Sequence, residues 1–267
     1  MSVGYAPIAT APRPGDPPMT YCLAMRLDEG LLFLADTRTN AGVDNIGTYR
    51  KQHVIAPDAD RLFVIEAAGS LATTQEVLDR VRRDLSNSGD HESLRSVNHL
   101  FEAALYLGRL SREVAAEHKE ALDAVGADGT ATFILGGQVA EERPDILLVY
   151  PEGNYIRASD DLPFLQIGET KYGKFLLEMA VTADVDALTA TKIALGSMMS
   201  TARANLSVGP PYDLAVYRND TFELEEFRIE AGSPVLTELQ HTWERVLRNG
   251  FEELEGVGRE QLDSRGD

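Results

Sequence analysis

The chain has 267 residues, 43% of them apolar, and its 43 Asp and Glu outnumber its 25 Lys and Arg to give a net charge of −18. This length and apolar fraction suit one large or two small globular domains, while the acidic balance disfavours binding to nucleic acid or an anionic membrane and favours a cytoplasmic setting. The single cysteine excludes an intramolecular disulfide framework, and no apolar run reaches the roughly 18 residues of a membrane helix.

The first nineteen residues differ in composition from the rest. Residues 1–18 hold five prolines and two glycines without apolar periodicity, which predicts a disordered extension. We interpret residues 1–19 as such an extension, as a propeptide, or as the product of a mis-assigned start. A single folded domain is predicted for residues 20–256, followed by a flexible tail at 257–267.

The folded part is predicted to begin with two β-hairpins. Thr20–Leu27 and Leu31–Thr37 are apolar and strand-like, and Asp28-Glu29-Gly30 supplies a turn between them. The second predicted pair of strands is Thr48–Ile55 and Arg61–Ala68. Because the first predicted strand begins at Thr20, the first hairpin starts at that residue.

Helices and strands follow in groups. Gly69-Ser70 is predicted to open a helix, because Val77, Leu78, Val81 and Leu85 share one helical face. The remaining predicted elements are a helix from Ser96 towards Leu122, strands at Thr130–Val139, Ile146–Tyr150 and Asn154–Ala158, helices at Lys171–Val181 and Asp186–Arg203, strands at Tyr212–Tyr217 and Thr221–Ile229, and a charged helix from Ser233. This grouping favours an α+β fold, with two antiparallel sheets and helices packed outside, over a Rossmann-type parallel sheet.

Several common kinds of site are disfavoured. The five histidines lack His-Glu-x-x-His spacing, and no G-x-S-x-G elbow is present. Gly168–Lys174 is close to a phosphate-binding loop, but Phe175 stands where a magnesium-binding Ser or Thr is required. A strand-to-helix loop that needs glycines is therefore the favoured interpretation, and we expect neither a cofactor nor a metal.

The Met19-Thr20 junction can carry chemistry if Thr20 is the first residue of the working protein. The hydroxyl and the α-amine of Thr20 would then lie on adjacent atoms. An α-amine has an ordinary pKa near ~8, so it can act as general base for the weakly acidic hydroxyl, directly or through a water. A nearby cation would lower the pKa of the amine further towards neutrality.

Other positions can complete such a site. Asp36 lies at the far end of the second strand, where it can point back at the start of the first, and Lys51 follows in the next strand. A buried Asp36–Lys51 pair would supply a cation held in place by a carboxylate. Gly69-Ser70, at a helix start, can present a backbone N–H to an oxyanion. Cys22 shares the face of Thr20 by strand alternation and is interpreted as a packed core thiol.

The sequence resembles the proteasome β-subunit superfamily, and within it the bacterial Anbu branch, the ancestral β-subunit. The resemblance rests on Thr20–Met25, Leu34–Asn40, Tyr49–Lys51 and Ala67–Ser70 in this order and spacing. It covers the chain from Thr20 to the last helix and implies a four-layer αββα sandwich, the N-terminal nucleophile hydrolase fold. It also implies a threonine-type peptidase or amidase that acts on a peptide or amide and assembles into a homo-oligomeric ring or open helix. Whether an ATP-driven unfoldase joins the assembly is left open.

The resemblance also assigns roles by position: Thr20 as nucleophile, Asp36 and Lys51 as the charge pair, Gly69 as oxyanion donor, and Ser207 as the serine that supports the terminal amine.

Two positions depart from the family pattern. The carboxylate three residues before the supporting serine is replaced by Ala204, and the serine after the second inner strand corresponds to Glu169. Two alternatives to an active peptidase therefore stay open. One is a catalytically weak or inactive structural subunit that self-assembles, and the other is an amidase in a peptide-modification pathway.

Overall fold

The computed structural model describes residues 20–40, 46–87 and 91–254. These residues belong to two compact units, one ending at Ala231 and the other beginning at Gly232. The strands of the first unit are β1 (Tyr21–Leu27), β2 (Gly30–Asp36), β3 (Arg38–Asn40), β4 (Ile46–Thr48), β5 (Gln52–Asp58), β6 (Arg61–Gly69), β7 (Ala131–Val139), β8 (Asp145–Val149), β9 (Tyr155–Arg157), β10 (Phe164–Gly168), β11 (Tyr212–Arg218) and β12 (Leu224–Ile229). Its helices are α1 (Leu71–Ser86), α2 (Leu100–Val125), α3 (Lys174–Ala180) and α4 (Ala187–Ala204).

The second unit contains α5 (Pro234–Glu252), which has Ser233 at its N-cap and a proline in its first turn. A proline suits this position because the first N–H groups of a helix have no intrahelical partner. In the described parts of the chain, no helix combines the length and the apolar character that crossing a bilayer requires.

Two five-stranded antiparallel sheets form the centre of the first unit. One has the strand order β10-β1-β2-β11-β12 and the other the order β5-β6-β7-β8-β9, while β3 and β4 pair as a separate two-stranded ribbon. Helix α4 packs on β1 and β2, whereas α1 and α2 pack on the other sheet. The αββα sandwich that the resemblance implies is therefore present.

Two apolar cores hold these layers together. One lies between the sheets and includes Phe33, Val64 and Ile134, and the other lies between the second sheet and helices α1 and α2. Because each sheet is covered on both faces, its inner strands are buried on both faces, as β2 is from Gly30 to Asp36. The predicted stripe of α2 from Leu100 to Leu110 is buried in the second core.

The second predicted hairpin was wrong at its beginning. Thr48 belongs to β4, which pairs with β3, and β5 starts only at Gln52. The chain is diverted between them because the N–H of Tyr49 donates to the carbonyl of Thr37 at 2.7 Å. This break brings Lys51 to the start of β5, next to the end of β2.

Several other predicted boundaries move by a few residues. Helix α2 begins at Leu100 rather than Ser96, since the Glu102 carboxylate accepts the N–H groups of Asn98 and His99 and caps it there. The other shifted starts are those of α3, at Lys174 rather than Lys171, and of β12, at Leu224 rather than Thr221. For β12 the cause is the positive φ of Asp220 and Phe222, 62° and 51°, which keeps these residues in a turn.

Candidate active site

Thr20 lies immediately before β1 and is 5% exposed. Its carbonyl accepts the N–H of Glu169 at 2.6 Å, which ties it to the end of β10. Gly168 has a φ of +83°, and a Cβ there would lie 1.8 Å from the Thr20 carbonyl oxygen. Glycine is therefore required at 168 so that β10 can close onto the backbone of Thr20.

Gly173, the second glycine of the phosphate-loop resemblance, also has a packing reason. A Cβ at this position would lie 2.2 Å from the Ser197 hydroxyl oxygen and 2.5 Å from that of Tyr21. The Tyr21 hydroxyl is hydrogen-bonded to Ser197 at 2.6 Å and also accepts from the Gln166 amide. This buried network anchors the start of β1, and Phe175 is exposed. The glycines thus belong to a strand-to-helix loop.

Asp36, the last residue of β2, lies directly beside Thr20. Its Oδ1 accepts the N–H of Tyr21 at 3.0 Å and the Nζ of Lys51 at 2.6 Å. Its Oδ2 accepts the N–H of Gly209 at 3.3 Å. The Lys51 ammonium also donates to the Arg38 carbonyl at 2.8 Å. The structure therefore brings Thr20, Asp36 and Lys51 together at one end of the sandwich.

The Asp36–Lys51 ion pair is almost sealed from water, with exposed side-chain fractions of 0% for Asp36 and 6% for Lys51. Burial raises the pKa of Asp36, and the adjacent Lys51 ammonium opposes this rise. Because hydrogen bonds from both flanks fix the carboxylate, the ammonium is held at a defined place. A fixed cation here can lower the pKa of an α-amine on Thr20.

Gly69, the last residue of β6, has a φ of +107°, and a Cβ there would lie 2.5 Å from the Thr130 carbonyl oxygen. The N–H of Ser70 donates to that carbonyl at 2.8 Å, and Ser70 also caps α1. Strand N–H groups alternate in direction, and the N–H of Ala67 points to β5, donating to Lys51 at 3.0 Å. The N–H of Gly69, two residues on, therefore also points to the β5 side of β6, at a position where β5 no longer pairs with β6.

One pocket connects these groups, and we call it the Thr20 pocket. Its lining includes Thr20, Tyr49, Lys51, Gly69 and Thr74. Its volume is about 20 Å³, which is room for about one water molecule. Thr20 and Gly69 are both on the pocket wall, so an acyl carbon seated there would lie beside both residues.

Ser207 lies in the loop between α4 and β11 and is buried. Its N–H donates to the Asn205 side-chain oxygen at 3.0 Å, and the Asn205 amide donates to the Glu169 carboxylate at 3.3 Å. Glu169 is itself buried and touches Thr20 through its backbone, as described above. This chain of contacts links the Ser207 loop to Thr20. Ala204, at the end of α4, is exposed.

Asn205, Gly209 and the Glu169 carboxylate were not assigned roles from the sequence. Their partners lie 36 residues or more away along the chain, so no local pattern points to these contacts. A weak signal is that Asn205 follows the last turn of a predicted helix, where a polar side chain commonly caps the chain.

Two further ionisable groups lie behind the site. Cys22 is fully buried in the core between the sheets, and burial, followed by the charge of Glu66, raises the pKa of its thiol. Glu66 of β6 is also fully buried, and burial raises its pKa well above the usual value. Cys22 therefore packs as a core thiol, as predicted.

Two antiparallel sheets between helix layers, with a threonine before the first strand, define the N-terminal nucleophile hydrolase fold. No family model and no curated protein matches the chain. Among solved structures, Anbu from Yersinia bercovieri is 40% identical with a TM-score of 0.82, and 90% of this chain and 99% of that one are covered. An Anbu complex from Pseudomonas aeruginosa, a helical assembly, is 38% identical with a TM-score of 0.84 and the same coverage.

A mutant Anbu from Hyphomicrobium sp. strain MC1 is 41% identical, with a TM-score of 0.82 over the same shares of the two chains. At this level of identity and coverage, the chain belongs to the Anbu family, the ancestral β-subunit branch of the proteasome β-subunit superfamily.

Proposed function

We propose that the chain, once Thr20 is its first residue, is an N-terminal-threonine hydrolase that cleaves peptide or amide bonds. The observation that supports this most strongly is the buried Asp36–Lys51 pair, which lies beside Thr20 and shares a pocket with it. A structural ion pair has no need of an adjoining pocket that contains a hydroxyl. The proposal has one condition, which is that the bond between Met19 and Thr20 is broken.

In the proposed reaction the α-amine of Thr20 takes the proton of its own hydroxyl, directly or through a water. The hydroxyl oxygen then attacks the substrate carbonyl carbon, and the Gly69 N–H stabilises the oxyanion. Return of the proton to the leaving nitrogen breaks the amide bond and leaves an acyl ester on Thr20. A water, deprotonated by the same amine, hydrolyses the ester and regenerates the site.

The Lys51 ammonium keeps the α-amine unprotonated, because a nearby positive charge disfavours a second cation. The Glu169 carboxylate, buried and held by Asn205, is our candidate for the acidic group that Ala204 lacks. Ser207, in the same hydrogen-bonded loop, would orient the amine. In this proposal Glu169, in another segment of the chain, supplies the carboxylate that the family pattern places at position 204.

A second candidate function is a structural subunit without activity, and the observation that favours it is the exposed Ala204. If Glu169 does not replace the missing carboxylate, the amine lacks an acidic partner and the reaction fails. We propose a homo-oligomer in either case, since a relative that is 38% identical forms a helical assembly.

Mass spectrometry of the protein purified from its own cells separates the two candidates. We expect a mass that begins at Thr20, and one added acyl group after treatment with a β-lactone, an electrophile that acylates hydroxyls. The adduct should map to Thr20 and be absent from Thr20→Ala. A chain that retains residues 1–19 throughout, or an adduct of equal yield in Thr20→Ala, would refute the hydrolase and leave the structural subunit.

A further inference from the structure

A second cavity, which we call the α1–β5 cavity, adjoins the Thr20 pocket. It has a volume of about 470 Å³ and lies between strand β5 and helix α1. Its walls include His53 and Ile55 of β5 and Leu78 and Arg82 of α1.

The pocket and the cavity are consecutive parts of one groove. Tyr49 lines both of them. Thr74 of α1 lines the pocket, and Leu78 and Arg82, one and two turns further on, line the cavity. Residues at this spacing of four lie on one face of a helix. Tyr49 therefore lies where the two volumes meet.

The sizes of the two volumes decide where a substrate side chain can go. About 20 Å³ beside Thr20 is too small for a side chain, whereas about 470 Å³ beyond Tyr49 is ample. Tyr49 is only half-buried, and its ring centroid lies 6.3 Å from that of His53 at a tilt of 52°. In the inference that follows, a turn of this half-exposed ring would join the two volumes.

The cavity carries positive charge in an otherwise acidic protein. Arg50 and Arg82 line it, and Glu226 is the one carboxylate among the described residues of its lining. The Nε2 atom of His53 is buried and has no hydrogen-bond partner within the described parts of the chain. Burial, followed by the charges of Arg82 and Arg50, lowers the pKa of His53 to about 4. The imidazole is thus neutral, and the cations of the lining are Arg82 and Arg50, of which Arg50 has the Asp213 carboxylate 3.9 Å from its Nε.

We infer that the α1–β5 cavity selects substrates that carry an acidic side chain, Glu or Asp, on the residue whose carbonyl carbon Thr20 attacks. The inference rests on the proposed function, because the groove begins at the proposed nucleophile. Arg82 is the specificity-determining residue, with Arg50 beside it. Arg82 pairs with the exposed Asp79 through one of its nitrogens, which leaves other donors of the guanidinium for a carboxylate in the cavity.

Binding of product-like peptides tests this without any turnover. N-acetyl tripeptides that differ only in a C-terminal Glu, Gln or Leu would be titrated calorimetrically into the Thr20→Ala protein. We expect the Glu peptide to bind about fivefold more tightly than the Gln peptide, the factor that one partly exposed ion pair supplies. Equal affinities, or a preference for Leu, would overturn the inference.

Two arginine variants in the same Thr20→Ala background locate the effect. Arg82→Gln should remove the preference for Glu. Arg83→Gln should keep it, because Arg83 is equally exposed, pairs with Asp84 and does not line the cavity. Loss of the preference in both variants, or in neither, would contradict the assignment to Arg82.

Acylation of Thr20 by the β-lactone separates this inference from the proposed function. If Thr20 is not acylated but the Glu preference depends on Arg82, the hydrolase proposal fails and the cavity assignment stands. If Thr20 is acylated and the peptides bind equally, the cavity assignment fails and the hydrolase stands.

Discussion

Asp36 and Glu66 both have fully buried carboxyl groups, and the surroundings of the two groups differ. Asp36 accepts hydrogen bonds from the Lys51 ammonium and from the backbone of Tyr21 and Gly209. Glu66 has no cation beside it in the described part of the chain, and only the Leu34 backbone N–H opposes the effect of burial on its pKa. Both side chains are fully buried, so the difference lies in the donors. Asp36 thus holds a cation beside Thr20, whereas Glu66 has no cation to offset burial and its pKa is raised well above the usual value.

Removal of the cation should give the largest effect on stability. Lys51→Met leaves the Asp36 carboxylate buried without its charge partner, which costs about 3–5 kcal/mol. We expect a correspondingly lower free energy of unfolding in a urea titration. The double variant Lys51→Met with Asp36→Asn should recover part of this loss. A single variant as stable as the unmodified protein would show that the pair is not what holds Asp36 in place.

A smaller effect is expected when the backbone donor to Asp36 is displaced. Gly168→Ala forces β10 away from the Thr20 carbonyl, and so disturbs the Tyr21 N–H that donates to Asp36. The combined strain and displacement should cost about 1–3 kcal/mol. Gly232→Ala is the control, since no heavy atom lies within 4 Å of the place that its new Cβ would occupy. Equal unfolding midpoints for the two variants would contradict this role of Gly168.

The smallest effect on stability is expected for the variant Glu66→Gln, and it is a gain rather than a loss. The pKa of Glu66 is raised in the folded state. The protein therefore has its full stability below the ordinary pKa of a glutamate, and its free energy of unfolding falls as pH rises towards the raised value, because the unfolded chain ionises first. Glu66→Gln cannot ionise and should be more stable than the unmodified protein by about 1 kcal/mol at pH 8. Unfolding titrations at pH 5 and pH 8 measure this, with the exposed Glu120→Gln as control.

An identical pH dependence of stability in the Glu66→Gln variant and the unmodified protein would mean that burial does not raise the pKa of Glu66. The contrast between the two carboxyls would then disappear.

The sequence allowed the positions of Asp36 and Lys51 to be predicted, but not the burial of Glu66. Strand alternation and a tight hairpin return the end of β2 to the start of β1, so the position of Asp36 follows from local rules. Lys51 needs one long-range contact, from Tyr49 to Thr37, which no local pattern encodes. For this reason the predicted strand ran through the break before β5.

Glu66 stands alone in an apolar strand, and its burial depends on the facing sheet, which contains β1 and β2. The link from Glu169 through Asn205 joins segments from two layers and likewise arises only from the tertiary fold. The αββα layers and the Cys22 environment were predictable, since each follows from periodicity or from the family resemblance. Strands β3 and β10 were not predicted as strands, although β10 pairs with β1 beside Thr20.

The most direct test of the hydrolase is to move the α-amine of Thr20 without removing its hydroxyl. Three chains would be compared: one that begins at Thr20, one with a single glycine placed before Thr20, and one with Thr20→Ala. We expect β-lactone acylation at position 20, followed by mass spectrometry, only in the first chain, because only there can the amine act as base. Equal acylation of Thr20 in the chain with the extra glycine would show that the amine is not the base.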